Sequence, residues 1–360
     1  MTETVAEAAT PAAPEATLES VACDLCGGEH AATLVIKNGF RVVRCTDCGL
    51  VFVNPRPRAS TLSALYDTGS YQHHQVTRAG DAAWRKPALA RLRLVNEKRP
   101  EKGALLDVGC STGWFLQVAS EAGWKVTGMD VSAGSVAHVR GRGFDVRLAT
   151  LESHDLPPRS FDVITMFDSI EHMPSPRAAL AAVHELLVDG GLLVVTTPNV
   201  EGLFPRLTYQ MLGRTFGAWM HPEPPGHVYQ FGKSTLASTL ERAGFAVVEE
   251  QTEAIALDHT VGELEDSLMD VLAGRVRRPA ATDARRQSAP PRVVAPAPGA
   301  ESGDGSASGP AKPRPLRRAL RLGVWAWAWA LTHSVAAPAP WLGKGDSLVV
   351  VARKVKKFRA

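Results

Sequence analysis

The sequence predicts an α/β fold built on a seven-stranded, mostly parallel sheet with helices on both faces, and three observations carry that prediction. From Ala104 onward, short apolar runs alternate with segments of helical periodicity, the pattern of a sheet covered on both sides by crossover helices. One of those runs, Leu105-Leu106-Asp107-Val108, enters a tight turn, Gly109-Cys110-Ser111-Thr112-Gly113, of the kind that joins a buried strand to a helix N-terminus. Upstream, Cys23-x2-Cys26 and Cys45-x2-Cys48 are separated by eighteen residues. That is a strong four-thiolate zinc pattern, and it places a small N-terminal zinc ribbon ahead of the sheet.

The elements follow in order. Residues 1–20 are rich in Ala, Thr, Pro and Glu, with neither a basic start nor an apolar stretch. They are read as a disordered tail rather than a secretory signal. Residues 21–57 form the ribbon, and residues 58–100 a mostly helical connector, from the spacing of Leu62, Leu65 and Tyr66 and of Leu89, Leu92 and Val95. The core spans 101–254. Its strands are expected at 104–109, 125–130, 145–149, 161–167, 192–197 and 245–251, with helices near 113–122, 132–141, 176–188 and 234–243. Ser234 suits an N-cap for the last helix and Gly244 its stop, and Gly190-Gly191 is expected to end the helix before the fifth strand.

An insertion, 255–345, separates the sixth strand from a seventh at 347–353, which with the sixth is expected to form a hairpin-like pair at one sheet edge. Its middle, 277–315, is a Pro/Ala/Arg/Gly/Ser mixture that cannot bury enough apolar surface to fold. Residues 316–341 are expected to form an apolar helical element, and 346–360 hold the final strand and a basic tail. Leu322–Leu331 is the most apolar stretch but is too short to span a membrane. Following Arg317, Arg318 and Arg321, it reads as a helix packed on the core or, alternatively, as a peripheral membrane anchor.

A net charge of +3 over 360 residues gives no argument for a polyanionic partner. Five cysteines, four of them in Cys-x-x-Cys pairs, suit a reducing, cytoplasmic compartment better than a disulfide framework. The glycine turn is not a dinucleotide fingerprint, because Ser111 and Trp114 stand where the later glycines belong. Nor is Gly232-Lys233-Ser234 a P-loop, because His227 replaces the first glycine.

Asp107-Val108-Gly109-Cys110-Ser111-Thr112-Gly113 resembles motif I of the class I S-adenosylmethionine-dependent methyltransferases. Asp130, seventeen residues beyond Gly113, closes the second strand, where a carboxylate can accept hydrogen bonds from ribose hydroxyls. Phe167-Asp168-Ser169-Ile170-Glu171-His172 and the turn at Asp189-Gly190-Gly191 are similar to later stretches of that family. The ribbon, followed by Leu50–Pro57, is similar to a group of bacterial relatives with an N-terminal zinc ribbon. The resemblance implies a Rossmann-like sheet and S-adenosyl-L-methionine held by Asp107, Gly109, Cys110, Ser111, Gly113, Asp130, Val131, Thr150, Leu151 and Phe167. Thr150 departs from the acid that many relatives use to hold the adenine, so backbone groups near Leu151, or Glu152, are expected instead.

Cys23, Cys26, Cys45 and Cys48 are expected to hold a structural Zn2+, since four cysteines leave no open coordination position. His172 and His227 are the first candidates for a catalytic base, with His221 and Tyr229 behind, while Trp114 and Phe167 are expected to line the cofactor cleft. The segment 203–229, with Phe204, Tyr209, Met211, Phe216 and Trp219, is expected to cover the acceptor. The implied activity is methyl transfer to a small-molecule acceptor (a sugar, lipid-linked compound or secondary metabolite) at oxygen or carbon. An RNA methyltransferase and a non-enzymatic interaction protein are the alternatives. The weak charge disfavours the first and the intact glycine loop the second.

Overall fold

The computed structural model describes residues 18–62, 81–217, 219, 221–255, 257–272 and 315–355. The ribbon opens with β1 (Leu18–Glu19), then β2 (Ala31–Lys37), β3 (Phe40–Cys45), β4 (Val51–Val53) and β5 (Arg56–Pro57). The two-residue loop joining β2 to β3 is Asn38-Gly39, with φ of 52° and 81°, the positive angles a tight hairpin turn demands.

After α1 (Asp81–Lys98) the alternation foreseen from the sequence unfolds: β6 (Ala104–Val108), α2 (Trp114–Glu121), β7 (Lys125–Asp130), α3 (Ala133–Gly141), β8 (Val146–Leu148), β9 (Phe161–Phe167), α4 (Pro176–Leu186) and β10 (Leu187–Pro198). Then come α5 (Leu203–Thr208), a π-turn (Tyr209–Gly213), α6 (Arg214–Phe216), β11 (Tyr229–Gln230), α7 (Lys233–Arg242), β12 (Phe245–Glu253), α8 (Leu257–Leu272), α9 (Pro315–Val335) and β13 (Ser347–Lys354).

Seven strands form one sheet in the order β12-β13-β10-β9-β6-β7-β8, and only β13 runs antiparallel to its neighbours. Leu106, Val108, Ile164, Met166, Leu193 and Val195 face α4 and α7 on one side. Leu105, Val163, Leu192 and Val194 face α1 and α2 on the other. Apolar residues on both faces of the same strands are the signature of a fully covered parallel sheet. The chain leaves β6 toward β7 on one side and reaches β9 on the other. The gap beyond their carboxyl ends is therefore the switch point where ligands bind in such sheets.

The sixth and seventh strands form the expected pair at one sheet edge: β12 is outermost and runs antiparallel to β13, which lies between β10 and β12. Within the insertion, α8 and α9 pack on α5 through Phe204, Val261, Leu264 and Ala328. Gly190-Gly191 does not stop a helix. That helix ends at Leu186, and the glycines form a bulge inside β10, where Gly190 takes a φ of 75°. The cap of α7 is Gly232 rather than Ser234, with the Thr235 hydroxyl accepting from the Gly232 amide at 2.9 Å. Of the segments expected to be disordered, 1–20 and 277–315, residues 1–17 and 277–314 lie outside the described residues, as do the side chains of Arg317, Arg318 and Arg321, whereas Leu18–Glu19 is a strand paired with β5 and Pro315 begins α9.

The ribbon is joined to the core by hydrogen bonds as well as by chain. Strand β11, from the far side of the sequence, completes a four-stranded sheet in the order β11-β4-β3-β2. Trp219 is buried against Val35, Val42 and Val51 of the ribbon. Most of the aromatic segment expected over the acceptor therefore packs elsewhere: Tyr209 rests on Trp219, and Met211 and Phe216 are exposed.

Candidate functional site

At the end of β6 the backbone doubles back. Gly109 adopts a φ of 77° and donates its amide to the Met129 carbonyl at 2.8 Å. A Cβ at Gly109 would stand 3.0 Å from that of Ser169, so both the angle and the space call for glycine. Gly113, also at 77°, ends the turn and starts α2. Asp130 pins the turn from β7: its Oδ2 accepts from the Ser111 amide and its Oδ1 from the Ser132 amide, both at 2.8 Å. Ser132 caps α3, its side chain accepting from the Ser135 amide. Beneath the turn, Asp107 is fully buried and accepts from the Thr165 hydroxyl at 2.7 Å. Burial pushes its carboxyl up to about 7, with the Thr165 bond opposing and Asp130 assisting.

A cavity of about 1140 Å³ opens from this turn. Gly109, Cys110, Ser111, Asp130, Val131, Thr150, Leu151, Glu152 and Phe167 line it, as does Trp114. Gly113 closes the turn behind them. Thr150 is engaged in a turn with Ser153, its amide donating to the Ser153 hydroxyl at 3.1 Å. Phe167 stands edge-on to Phe115 at 4.8 Å, and the Arg91 guanidinium lies 6.0 Å from its ring centre. Among the described residues the lining holds eight Asp and Glu side chains and only Arg91 as a fixed cation.

The far end of the cavity is built from the turn after β9 and the loop before β11. Burial pushes the Glu171 carboxyl well above its usual range, with Asp168 adding to the shift. Its Oε2 accepts from the Thr197 hydroxyl at 3.1 Å, while Oε1 has no hydrogen-bond partner among the described residues. His172 and His227 meet edge to face with ring centres 4.6 Å apart, and His172 Nδ1 lies 3.1 Å from the Gly226 carbonyl. Burial pushes both imidazoles down to about 4 and that of His221, also in the lining, to about 3. Tyr229 is set apart from the cavity: it is buried, receives a hydrogen bond from Arg56 at 2.8 Å and donates to the Pro174 carbonyl. It is a packing residue and no candidate base.

Three residues escaped the sequence reading. Glu171 was visible only as part of a motif, because nothing in the sequence reports its burial. Arg91 reaches the lining from α1, and it pairs with Glu253 at 2.7 Å. Asp346, immediately before β13, is buried in the lining with its carboxyl raised by burial to about 7.

The four cysteines of the ribbon converge. Cys23 and Cys48 sulfurs are 3.4 Å apart, those of Cys26 and Cys45 3.5 Å, and all four lie within 4.8 Å of one another. A disulfide needs ~2.05 Å, whereas thiolates at ~2.3 Å from one zinc stand roughly 3.8 Å apart. The cluster fits a tetrahedral metal.

A family model described as a methyltransferase domain matches residues 74–250. A ubiquinone biosynthesis O-methyltransferase of Ruegeria pomeroyi is 32% identical over 167 residues, covering 42% of this chain and 67% of that protein. A protein of Mycolicibacterium smegmatis, named as a probable S-adenosylmethionine-dependent methyltransferase, is 32% identical over 145 residues, 40% of this chain and 52% of its own length. The chain spans about half the length of most of the curated relatives it matches. A solved methyltransferase from Archaeoglobus fulgidus has 17% identity and a TM-score of 0.43, covering 75% of this chain and 94% of that one. The chain belongs to the class I S-adenosylmethionine-dependent methyltransferase family.

Proposed function

We propose that the protein transfers a methyl group from S-adenosylmethionine to an oxygen or carbon of a small-molecule acceptor. The observation that carries this reading is one cavity with the glycine turn and Asp130 at one end and Glu171, His172 and His227 at the other. At about 1140 Å³ it exceeds the ~300–1,000 Å³ of a single-ligand pocket. S-adenosylmethionine supplies a methyl group on a cationic sulfonium, and it leaves as a neutral thioether.

The Asp130 carboxylate keeps acceptor capacity beyond the backbone amides of Ser111, Val131 and Ser132, which suits a ribose hydroxyl pair. The backbone of Gly109, Cys110, Ser111 and Gly113 shapes the methionine end, with Asp107 beneath it. Val131, Thr150 and Leu151 border the adenine, and Phe167 the space beside the sulfonium. The acidic lining favours a cation such as the sulfonium. Burial keeps His172 and His227 neutral near pH 7, so each keeps a ring-nitrogen lone pair at the acceptor end of the cavity. Arg91, the one fixed cation in the lining among the described residues, gives no track for a nucleic-acid backbone, which weighs against an RNA acceptor. The ribbon cysteines would hold a structural zinc.

A lipid-like acceptor, or contact with a membrane surface, is the second reading. It rests on Trp325, Trp327 and Trp329, which are 43–46% exposed on α9, and on Trp341, which is 89% exposed. No described helix is long and apolar enough to cross a membrane.

The test is incubation with methyl-labelled cofactor and separated lipid, sugar-nucleotide, small-metabolite and RNA fractions. Label in a small-metabolite, sugar or lipid fraction is expected. Label in RNA alone would replace this reading.

A further inference from the structure

We propose that Glu171, His172 and His227 form a divalent transition-metal site at the acceptor end of the cavity, distinct from the cysteine site of the ribbon. One donor atom from each of the three lies within 4.8 Å of the others. Two imidazoles and one carboxylate are a donor set that binds first-row divalent cations through three positions and leaves others open. Thiolate ligation suits a closed structural site, whereas this set suits one that also takes a ligand.

Three further observations point to a cation. Glu171 is 1% exposed, and with Oε2 taken by Thr197 its Oε1 has no hydrogen-bond donor among the described residues. A buried carboxylate oxygen left so is costly, and a metal would satisfy it. His227 Nδ1 is likewise buried without a partner among the described residues. His172 Nδ1 lies against the Gly226 carbonyl at 3.1 Å. That contact fixes the proton on Nδ1 and makes Nε2 the lone-pair donor, the arrangement in which ligating histidines are oriented by a second hydrogen bond.

The two chain segments that supply the donors are held in register. The Val228 amide donates to the Glu171 carbonyl at 2.9 Å, and the Val53 amide to the Val228 carbonyl at 2.9 Å. Metal bonds near ~2.1 Å would draw the three donors together by roughly an ångström, a rotation of side chains rather than of backbone.

The ligand class follows from the open positions and the place in the cavity: an acceptor that offers oxygen atoms, most simply two neighbouring hydroxyls or a hydroxyl beside a carbonyl. The ligand class rests on the methyltransferase reading, whereas the metal site itself does not.

The experiment uses the full chain with zinc already in the ribbon, titrated with Co2+. The expected result is one further Co2+ per chain whose visible absorption lacks a thiolate-to-metal charge-transfer band. Glu171→Gln and His227→Asn should each weaken that binding tenfold or more while circular dichroism and cofactor binding by calorimetry persist. Should one of them fail to fold, His172→Asn and the spectrum of the unaltered protein decide. No Co2+ beyond the ribbon equivalent, a thiolate band on the second ion, or unchanged affinity in folded variants overturns the proposal. Calorimetry with S-adenosylmethionine on the same sample separates the two readings: cofactor binding without the second Co2+ removes only the metal site.

Discussion

Asp130 holds the turn that would carry the cofactor through Oδ2 and the start of α3 through Oδ1, so its removal acts on ligand and loop together. Asp130→Ala is expected to weaken S-adenosylmethionine binding by roughly 2–4 kcal/mol, read by calorimetry, with Asp130→Asn intermediate because one acceptor oxygen survives. Unchanged affinity in Asp130→Ala would remove the ribose role. Asp107 offers a test in pH. Its folded carboxyl titrates at about 7 because it is buried, above the ~3.9 of an unfolded Asp. The folded state therefore holds the extra proton between those values. The contribution of Asp107 to stability is complete below the unfolded value and is lost as pH rises through about 7. Urea unfolding of the apoprotein should show Asp107→Asn gaining on the unaltered protein by about 2 kcal/mol between pH 5 and pH 8. A difference that is flat in pH would show an ordinary ionised Asp107. The residue types at these positions were legible in the sequence, from the motif and the spaced acid. The burial that sets their protonation was not, because it depends on Thr165 and on layers of the sheet far away in the chain.

At the scale of elements, the pairing of β4 with β11 couples the ribbon to the acceptor loop. Tyr229 faces Phe52 and Gln230 faces Val51 across that pair, and the Asn38 side chain at the hairpin tip donates to the Pro224 carbonyl at 2.9 Å. A sequence reading that ends the ribbon at residue 57 expects metal removal to disturb the ribbon alone. The pairing predicts more: stripping the proposed ribbon zinc should raise amide exchange across 31–53 and also across 223–231, while β6, β9 and β10 keep their protection. Hydrogen exchange with and without a chelator decides, and protection retained at 223–231 would show the two parts to be independent. The sequence foresaw the strands of the large sheet to within a residue or two in most cases, since most are short apolar runs bounded by clear breakers. It could not show β11, two residues long, because a strand that short has no periodicity and exists only through its partner.

The whole molecule places its ligand space where the order of strands reverses, between β6 and β9, and closes it from outside with elements distant in sequence: α1, the loop before β11, and α5. Packed against α5, α9 presents exposed tryptophans beside an apolar groove of about 570 Å³ lined by Leu212, Phe216, Leu268 and Trp327. Trp327 thus borders the segment that begins at Leu203 without being covered by it. If that surface meets lipid, anionic vesicles at low salt should sediment the protein and shift its tryptophan emission to the blue, and Trp325→Ser with Trp329→Ser should reduce both. A protein that remains in solution with unshifted emission leaves α9 as packing for α8 and α5 only.

By itself the sequence determined what is local or repeated along the chain. The glycine turn, the acid closing β7, the two cysteine pairs and the alternation of strands and helices are each written within a few neighbouring residues, because backbone angle, ligand spacing and hydrophobic period are short-range requirements. Tertiary structure alone decided what depends on chain segments far apart. It set β13 inside β12, drew β11 into the ribbon sheet, turned Tyr229 away from the cavity, and brought His227 against Glu171 and His172. Those outcomes rest on burial and on hydrogen bonds between residues tens to hundreds of positions apart, and no local pattern encodes which distant partner will remove a side chain from water.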